Sequence, residues 1–209
     1  MSAPIWPELY FIRHGQTDWN AQNRYQGSRD IPLNDIGRGQ ADKNGALLRH
    51  LLERDGRTPA DFAWYVSPLG RTRETMERVR AHFAPPLPEV TVDPRLIEIS
   101  FGVYEGRLHT ELAGGEMVIA GERDASFWDF RPPQGESYAD LAERVSDFGR
   151  LLGGPSIVVA HGGLLRVLMH LIQGMPQSET VNWFPPQDSV IHFINNRATV
   201  YPAGESWDD

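Results

Sequence analysis

The sequence predicts an α/β fold, a three-layer α/β/α sandwich with a mostly parallel central sheet. Short apolar runs of the kind that form buried strands alternate with amphipathic stretches at helical spacing. Three of these runs end in small polar clusters, at Arg13-His14-Gly15, Ser67-Pro68 and His161-Gly162. Because right-handed crossovers bring the carboxyl ends of parallel strands to one edge, we expect these clusters to meet there.

The individual elements follow from local patterns. Strands are predicted at residues 9–12, 62–66, 90–92 and 156–160, followed by a hairpin of 189–195 and 198–201. Helices are predicted at residues 33–54, 69–83 and 137–152, and from His161-Gly162-Gly163 to about Gln173. Asn34 or Asp35 can cap the first helix, and Ser67 is expected to cap the second, with Pro68 in its first turn. Asn196-Arg197 is predicted to form the hairpin turn.

The chain of 209 residues is long enough for one substantial core, so we expect a single domain over residues 1–209. Residues 102–135 are rich in glycine and aromatic side chains and lack a regular pattern. They are predicted to form an irregular cover over the active site.

Composition excludes several classes of protein. The chain has no cysteine, which rules out disulfides, thiolate zinc sites and a cysteine nucleophile. A formal charge of −8 argues against general nucleic-acid binding, which needs a basic surface. The N-terminus lacks the basic and apolar regions of a signal peptide, and no apolar run approaches the ~20 residues that span a bilayer. We therefore expect a cytoplasmic protein with no membrane partner.

His14 is the first candidate for chemistry. A lone histidine after a strand is more often structural than catalytic, so the hypothesis that His14 is catalytic depends on its neighbours. Arg13 supplies a permanent positive charge that can hold an anion and lower the pKa of His14, and Gly15 lets the backbone approach a ligand. A neutral imidazole is a good nucleophile toward phosphorus, and a phosphohistidine hydrolyses readily.

Three further residues are candidates, each with a competing structural interpretation. His161, between a strand and a helix N-terminus, can donate a hydrogen bond to a phosphate oxygen, although the glycines after it could simply pack the strand against the helix. Arg71 places a positive charge in the first turn of a helix, where the dipole favours an anion, although most arginines in a first turn are simply solvated. Glu98 lies between apolar residues, where a raised pKa would suit a general acid, with a surface carboxylate as the alternative. No spacing typical of a metal site is present, so we expect neither a metal nor another cofactor.

Five motifs in register resemble the histidine phosphatase superfamily, also called the phosphoglycerate mutase-like family. The segment LYFIRHGQTDWN (residues 9–20) is similar to its opening signature. Further matches are SPLGRTRET (67–75), EISFGVYEG (98–106), GES (135–137) and VVAHGG (158–163). The resemblance spans nearly the whole chain in order and implies the same three-layer fold.

The resemblance implies a role for each matching residue. His14 would accept the phosphoryl group, and Glu98 would donate a proton to the leaving group. The phosphate oxygens would be held by Arg13, Arg71 and His161. The other residues implied to contact phosphate or substrate are Asn20, Gln26, Gly27 and Gly162.

The family contains phosphatases and mutases, and two features favour a phosphomonoesterase. Mutases are typically longer, with an added segment and a C-terminal tail that exclude water from the phosphohistidine. They usually carry glutamine where this chain has Glu105. A cofactor-dependent phosphoglycerate mutase is the alternative. A catalytically inactive binding protein on the same fold is disfavoured, because the motif residues implied to be catalytic are all present.

The expected partner is a small-molecule phosphate ester. Sugar phosphates, α-ribazole phosphate and phosphoglycerate are all open as substrates, and a phosphoprotein is less favoured because of the aromatic cover. The oligomeric state, a homodimer included, is left open by the sequence.

Overall fold

Six strands form one mixed, mostly parallel sheet in the computed structural model, which describes residues 6–112 and 125–204. The strands are β1 (Leu9–Arg13), β2 (Ala63–Val66), β3 (Val90–Val92), β4 (Ser156–Ala160), β5 (Ser189–Ile194) and β6 (Arg197–Pro202). Their order is β3-β2-β4-β1-β5-β6. The first four are mutually parallel, whereas β5 and β6 are antiparallel to their neighbours. The predicted α/β sheet is confirmed.

Helices occupy both faces of this sheet. They are α1 (Asp18–Ala21), α2 (Asp35–Arg54), α3 (Gly70–Arg80), α4 (Tyr138–Gly149), α5 (Gly162–Gln173) and α6 (Gln177–Asn182). The two that the sequence did not predict, α1 and α6, have 4 and 6 residues, too few for helical periodicity to be visible. Among the described residues, no helix combines the length and apolar character needed to cross a membrane.

Alternate residues of β1 enter two separate hydrophobic cores. Leu9 and Phe11 pack in the cluster that contains the apolar faces of α4 and α5. Tyr10 and Ile12 pack in the cluster that contains those of α2 and α3. Because successive side chains of a strand point to opposite faces, the two clusters lie on opposite sides of the sheet. This arrangement is the expected three-layer sandwich.

Two local predictions were wrong. Helix α3 begins at Gly70 after Leu69, which makes no side-chain cap. Ser67 lies outside the helix, and its hydroxyl bonds to His161 instead of capping the helix. The hairpin turn consists of Asn195 and Asn196, with φ values of 52° and 60°, while Arg197 already pairs within β6. A two-residue turn that needs positive φ at both positions suits asparagine better than arginine.

The carboxyl ends of β1, β2 and β4 lie side by side at one edge of the sheet. β4 pairs in parallel with both other strands, and Arg13 is opposite Ala160. The next residues along the chain, His14, Ser67 and His161, are therefore neighbours. Of the predicted cover, residues 102–112 and 125–135 form loops with short 3₁₀ helices, and residues 113–124 lie outside the described residues.

Candidate active site

His14 lies buried in the turn after β1, with 2% of its surface exposed. Its Nδ1 is 2.7 Å from the carbonyl oxygen of Gly15. A carbonyl can only accept, so Nδ1 carries the proton and Nε2 keeps its lone pair. The Nε of Arg71 donates to that lone pair at 3.2 Å. Burial, then the positive charges of Arg71 and Arg13, lower the pKa of His14 well below its usual 6.5, so the imidazole is neutral at neutral pH.

Arg71 is fully buried near the start of α3 and is held by backbone carbonyls rather than by a close carboxylate. Its terminal nitrogens donate to the carbonyl oxygens of Gly27, at 2.9 Å, and Arg29. Burial lowers the pKa of Arg71 to about 10. Gly27 has φ of +55°, and a Cβ there would lie 2.2 Å from Oε1 of Glu105, so this loop requires glycine. The loop thus fixes the guanidinium against His14.

Gln26 lies between Arg71 and Thr17 and is buried. With its amide oriented so that the oxygen faces the guanidinium, that oxygen accepts from Arg71 Nε at 2.8 Å and the amide nitrogen donates to Thr17. This orientation satisfies both partners, since a guanidinium can only donate. The single Nε–H of Arg71 is thus shared between this oxygen and Nε2 of His14, so Gln26 helps to orient the guanidinium beside the imidazole.

Arg13 and Asn20 retain donors that no described residue uses. Nη1 of Arg13 donates to the carbonyl of Pro185, but its buried Nε has no partner among the described residues. A Cβ on Gly162 would lie 3.1 Å from that Nε, so glycine lets Arg13 approach the start of α5. Asn20 accepts three hydrogen bonds through Oδ1, two from Thr17 and one from Gln187, which leaves its amide NH₂ available.

His161 is fully buried beside His14, with ring centroids 5.2 Å apart. Its Nε2 is 2.7 Å from Oγ of Ser67, and its buried Nδ1 has no partner in the described part of the chain. Burial, then Arg71, His14 and Arg13, lower the pKa of His161 well below 6.5. Like His14, it is therefore a neutral imidazole at neutral pH.

Glu98 is half-buried and held at the N-terminus of α5. Its Oε1 accepts from the backbone N–H of Ile99 at 3.0 Å and of Gly163 at 3.1 Å. A Cβ on Gly163 would lie 2.4 Å from Oε1, so the carboxylate sits where a side chain on the helix would be. The helix dipole and these N–H groups fix the carboxylate at this end of α5.

These residues surround one cleft of about 720 Å³, a volume that includes open solvent at its mouth. Its walls contain Arg13, His14, Asn20, Arg24, Tyr25, Gln26, Gly27, Glu98, Ile99, Phe101, His109, Tyr138, Gly162, Gly163, Arg166, Phe184 and Pro185. Arg71 and His161 lie behind this lining and are fully buried. The structure thus brings together all nine residues singled out from the sequence.

The segment 183–188, before β5, makes hydrogen bonds that position residues of the site. This role was not predicted from the sequence. The carbonyl of Trp183 accepts from Arg166, and that of Pro185 accepts from Arg13. Nε2 of Gln187 donates to the carbonyl of His14 at 3.2 Å and to Asn20 at 3.1 Å. This segment has no periodic pattern, so the sequence offered no signal for Gln187. For Arg166 a signal existed, because it lies one turn along the helix that follows His161-Gly162.

The charge of the cleft suits an anion. Arg13, Arg24 and Arg166 line it, and Glu98 is the one carboxylate in the lining described above. Within the described residues, no group of three or more histidines, cysteines or carboxylates is arranged to hold a metal ion. Guanidinium groups, amide donors and a bare imidazole nitrogen are therefore what this cleft presents to a phosphate-sized ligand.

Comparison with known proteins identifies relatives of this chain. The sequence profile of the histidine phosphatase superfamily (branch 1) matches residues 9–200. The probable phosphoglycerate mutase GpmB of Serratia proteamaculans is 33% identical over 174 residues, covering 81% of this chain and 76% of that protein.

Solved structures of similar fold include both phosphatases and mutases. Mycobacterial glucosyl-3-phosphoglycerate phosphatase, in a complex with VO3, has a TM-score of 0.75 and 26% identity, covering 95% of this chain and 100% of that one. Phosphoglycerate mutase from Thermus thermophilus has a TM-score of 0.67 and 28% identity, covering 95% and 99%.

Proposed function

We propose that this chain, which belongs to the histidine phosphatase superfamily (branch 1), hydrolyses a small-molecule phosphate ester through a phosphohistidine on His14. The observation that carries the proposal is the unprotonated Nε2 of His14, buried against the guanidinium of Arg71. Cations around this imidazole keep it neutral and attract the phosphate dianion. A neutral imidazole held beside a bound phosphate is placed to act as a nucleophile.

The first step transfers the phosphoryl group to the protein. The lone pair of His14 Nε2 attacks phosphorus, and the bond between phosphorus and the ester oxygen breaks. Arg13, Arg71 and His161 hold the non-bridging oxygens, over which the negative charge of the transition state is spread. Glu98, in its protonated form, gives a proton to the departing oxygen, so the alcohol leaves neutral.

The second step returns the protein to its starting state. A water molecule attacks phosphorus while the Glu98 carboxylate accepts one of its protons. The bond between phosphorus and Nε2 breaks, and inorganic phosphate leaves. The proton on Nδ1 stays hydrogen-bonded to the Gly15 carbonyl throughout, so His14 emerges neutral and ready for another cycle.

Hydrolysis requires water to reach the phosphohistidine, and the described part of the cleft supports this. Phe184 on its rim is 78% exposed, and the cleft opens to solvent. A phosphoglycerate mutase is the second candidate, because the GpmB relative carries that name. A mutase would instead keep water away from phospho-His14 until its intermediate had turned around.

The covalent intermediate can be tested directly. Rapid quenching of the enzyme with ³²P-labelled substrate should trap acid-labile, base-stable label, and the label should be absent from His14→Ala. His82→Ala, which changes a histidine remote from the cleft, is the matched control and should label normally. An active His14→Ala enzyme, or a wild type that never carries label during turnover, would refute the phosphohistidine.

A second assay separates the two candidate functions. The enzyme is incubated with 3-phosphoglycerate, with and without catalytic 2,3-bisphosphoglycerate, and inorganic phosphate and 2-phosphoglycerate are both measured. A phosphatase should release inorganic phosphate or leave this substrate unchanged. Formation of 2-phosphoglycerate at tens per second or more, a rate ordinary for enzymes, would establish the mutase.

A further inference from the structure

Ser67 and His161 form an isolated hydrogen-bonded pair beneath the cleft. Both residues are fully buried, 94 positions apart in the chain, and Nε2 of His161 is 2.7 Å from Oγ of Ser67. The backbone on either side holds Ser67 in place, since its N–H donates to the carbonyl of Val159 and its own carbonyl accepts from the hydroxyl of Thr72. Its hydroxyl is therefore presented to the imidazole from a fixed position.

The direction of this hydrogen bond decides which nitrogen of His161 carries the proton. His161 is neutral at neutral pH, because burial lowers its pKa well below 6.5, so its ring holds a single N–H. Were that N–H on Nε2, it would donate to Ser67, and the Ser67 hydroxyl would need a different acceptor. No other partner of Oγ is found among the described residues. A buried hydroxyl without an acceptor is unfavourable, so the pairing favours donation from Ser67 to Nε2.

The other ring nitrogen, Nδ1, is buried and has no partner in the described part of the chain. His161 occupies the N-cap position of α5, where a side chain often accepts from the backbone, but it makes no such bond. Its ring lies 5.2 Å from that of His14, and its pKa responds to Arg71 and Arg13. Nδ1 is thus the nitrogen left for a ligand of the cleft.

We propose that Ser67 is a positioning residue that fixes the tautomer of His161: by donating to Nε2 it keeps the proton on Nδ1, where it can be donated to a phosphate oxygen. The proposal rests on the phosphoryl transfer proposed above. A lone pair at Nδ1 would repel a phosphate oxygen, whereas an N–H attracts it. Ser67 therefore acts on the substrate through His161.

The tautomer can be read on the unmodified enzyme by long-range ¹H–¹⁵N NMR of the histidine rings, with and without inorganic phosphate. Signals are assigned by their absence from His161→Asn. In the wild type at neutral pH, Nδ1 should show the shift of a protonated nitrogen and Nε2 that of an unprotonated one. A proton found on Nε2 would overturn the proposal, whether or not the enzyme proves to be a phosphatase.

Ser67→Ala then tests the role of the hydroxyl. The variant should show averaged shifts for the two ring nitrogens of His161, and its kcat/KM should fall about tenfold, the effect of one hydrogen bond. The matched control is Ser189→Ala, which removes another buried hydroxyl, one with no partner among the described residues. It should keep the wild-type tautomer and rate. Wild-type shifts or wild-type kcat/KM in a folded Ser67→Ala would refute the proposal.

If Ser67→Ala does not fold, the proposal is tested by the tautomer of His161 in the wild-type enzyme. Failure of the proposed function would look different, because the shifts of His161 report the tautomer without any turnover. In that case a proton on Nδ1 would be seen in an enzyme that carries no label on His14.

Discussion

Replacing Glu105 with alanine is expected to destabilise the fold and the site together, whereas glutamine should be tolerated. The Glu105 side chain is 6% exposed, and its Oε1 accepts from the backbone N–H of Ser28 at 3.0 Å and of Phe101 at 3.2 Å. The hydroxyls of Ser28 and Ser100 also donate to it, each at 3.2 Å. Glu105 therefore joins the Gly27 loop, which holds Arg71, to the segment after Glu98.

The magnitude follows from which donors lose their acceptor. In Glu105→Ala the serine hydroxyls can rotate toward other acceptors, but the backbone N–H groups of Ser28 and Phe101 cannot. Each of these N–H groups costs about 1–3 kcal/mol when it is buried and unsatisfied. The free energy of unfolding should thus fall by roughly 2–6 kcal/mol. Glu105→Gln keeps an Oε1 acceptor and loses mainly the 3.4 Å ion pair with Arg29, whose side chain is 66% exposed. A pair that exposed contributes about 0–1 kcal/mol.

Urea unfolding of Glu105→Ala and Glu105→Gln measures the difference in their free energies of unfolding. Glu53→Ala is the control, because it removes one negative charge from an exposed site. The kcat/KM of Glu105→Ala should also fall, because the carbonyls of Gly27 and Arg29 orient Arg71. If Glu105→Gln destabilised the fold as much as Glu105→Ala does, the negative charge of Glu105 would matter rather than its hydrogen-bond acceptor. If the free energy of unfolding of the alanine variant lay within about 1 kcal/mol of the wild-type value, the proposed role of Glu105 in joining the two loops would be refuted. Because Glu105 is absent from the cleft lining, Glu105→Gln should not produce mutase activity.

Three further outcomes are expected. The pKa values of His14 and His161 are lowered in the folded protein, so below about pH 6.5 the unfolded chain binds protons that the folded chain does not. Urea unfolding should therefore show that the free energy of unfolding falls from about pH 7 to about pH 5, by up to ~1.4 kcal/mol per pH unit for each histidine. The slope against pH should be shallower in His161→Asn. Equal slopes in the variant and the wild type would contradict this explanation. Glu98→Gln should lower kcat/KM, which reports transfer of the phosphoryl group to His14, by roughly 10²–10⁴-fold for aliphatic phosphate esters but much less for p-nitrophenyl phosphate, and equal losses in kcat/KM would remove Glu98 as the general acid. Activity should survive exhaustive chelation, since guanidinium groups take the place of a cation; a loss restored by Mg²⁺ or Zn²⁺ would show otherwise.

The fold could be predicted from the sequence because its signals are local. β1 and β4 are apolar along most of their length, as strands covered on both faces must be, and α2 and α4 carry apolar residues at helical spacing. The meeting of His14 and His161 was also predictable, because parallel strands bring their carboxyl ends to one edge. The caps of α2 and α4, Asn34 and Ser137, follow the local pattern, whereas the start of α3 and the hairpin turn did not.

The sequence by itself therefore determined the sheet, its principal helices and the edge at which the polar residues meet. Only the tertiary structure decided how those residues are held. Ser67 looked like a helix cap but contacts His161. Glu105 looked like an indicator of a phosphatase rather than a mutase, but it joins two loops. Gln187 gave no signal, although it bonds to His14 and Asn20. These contacts join residues that lie 77 to 173 positions apart. A hydrogen bond over such a separation depends on where the packed core places each backbone, and no local pattern of residues encodes that placement.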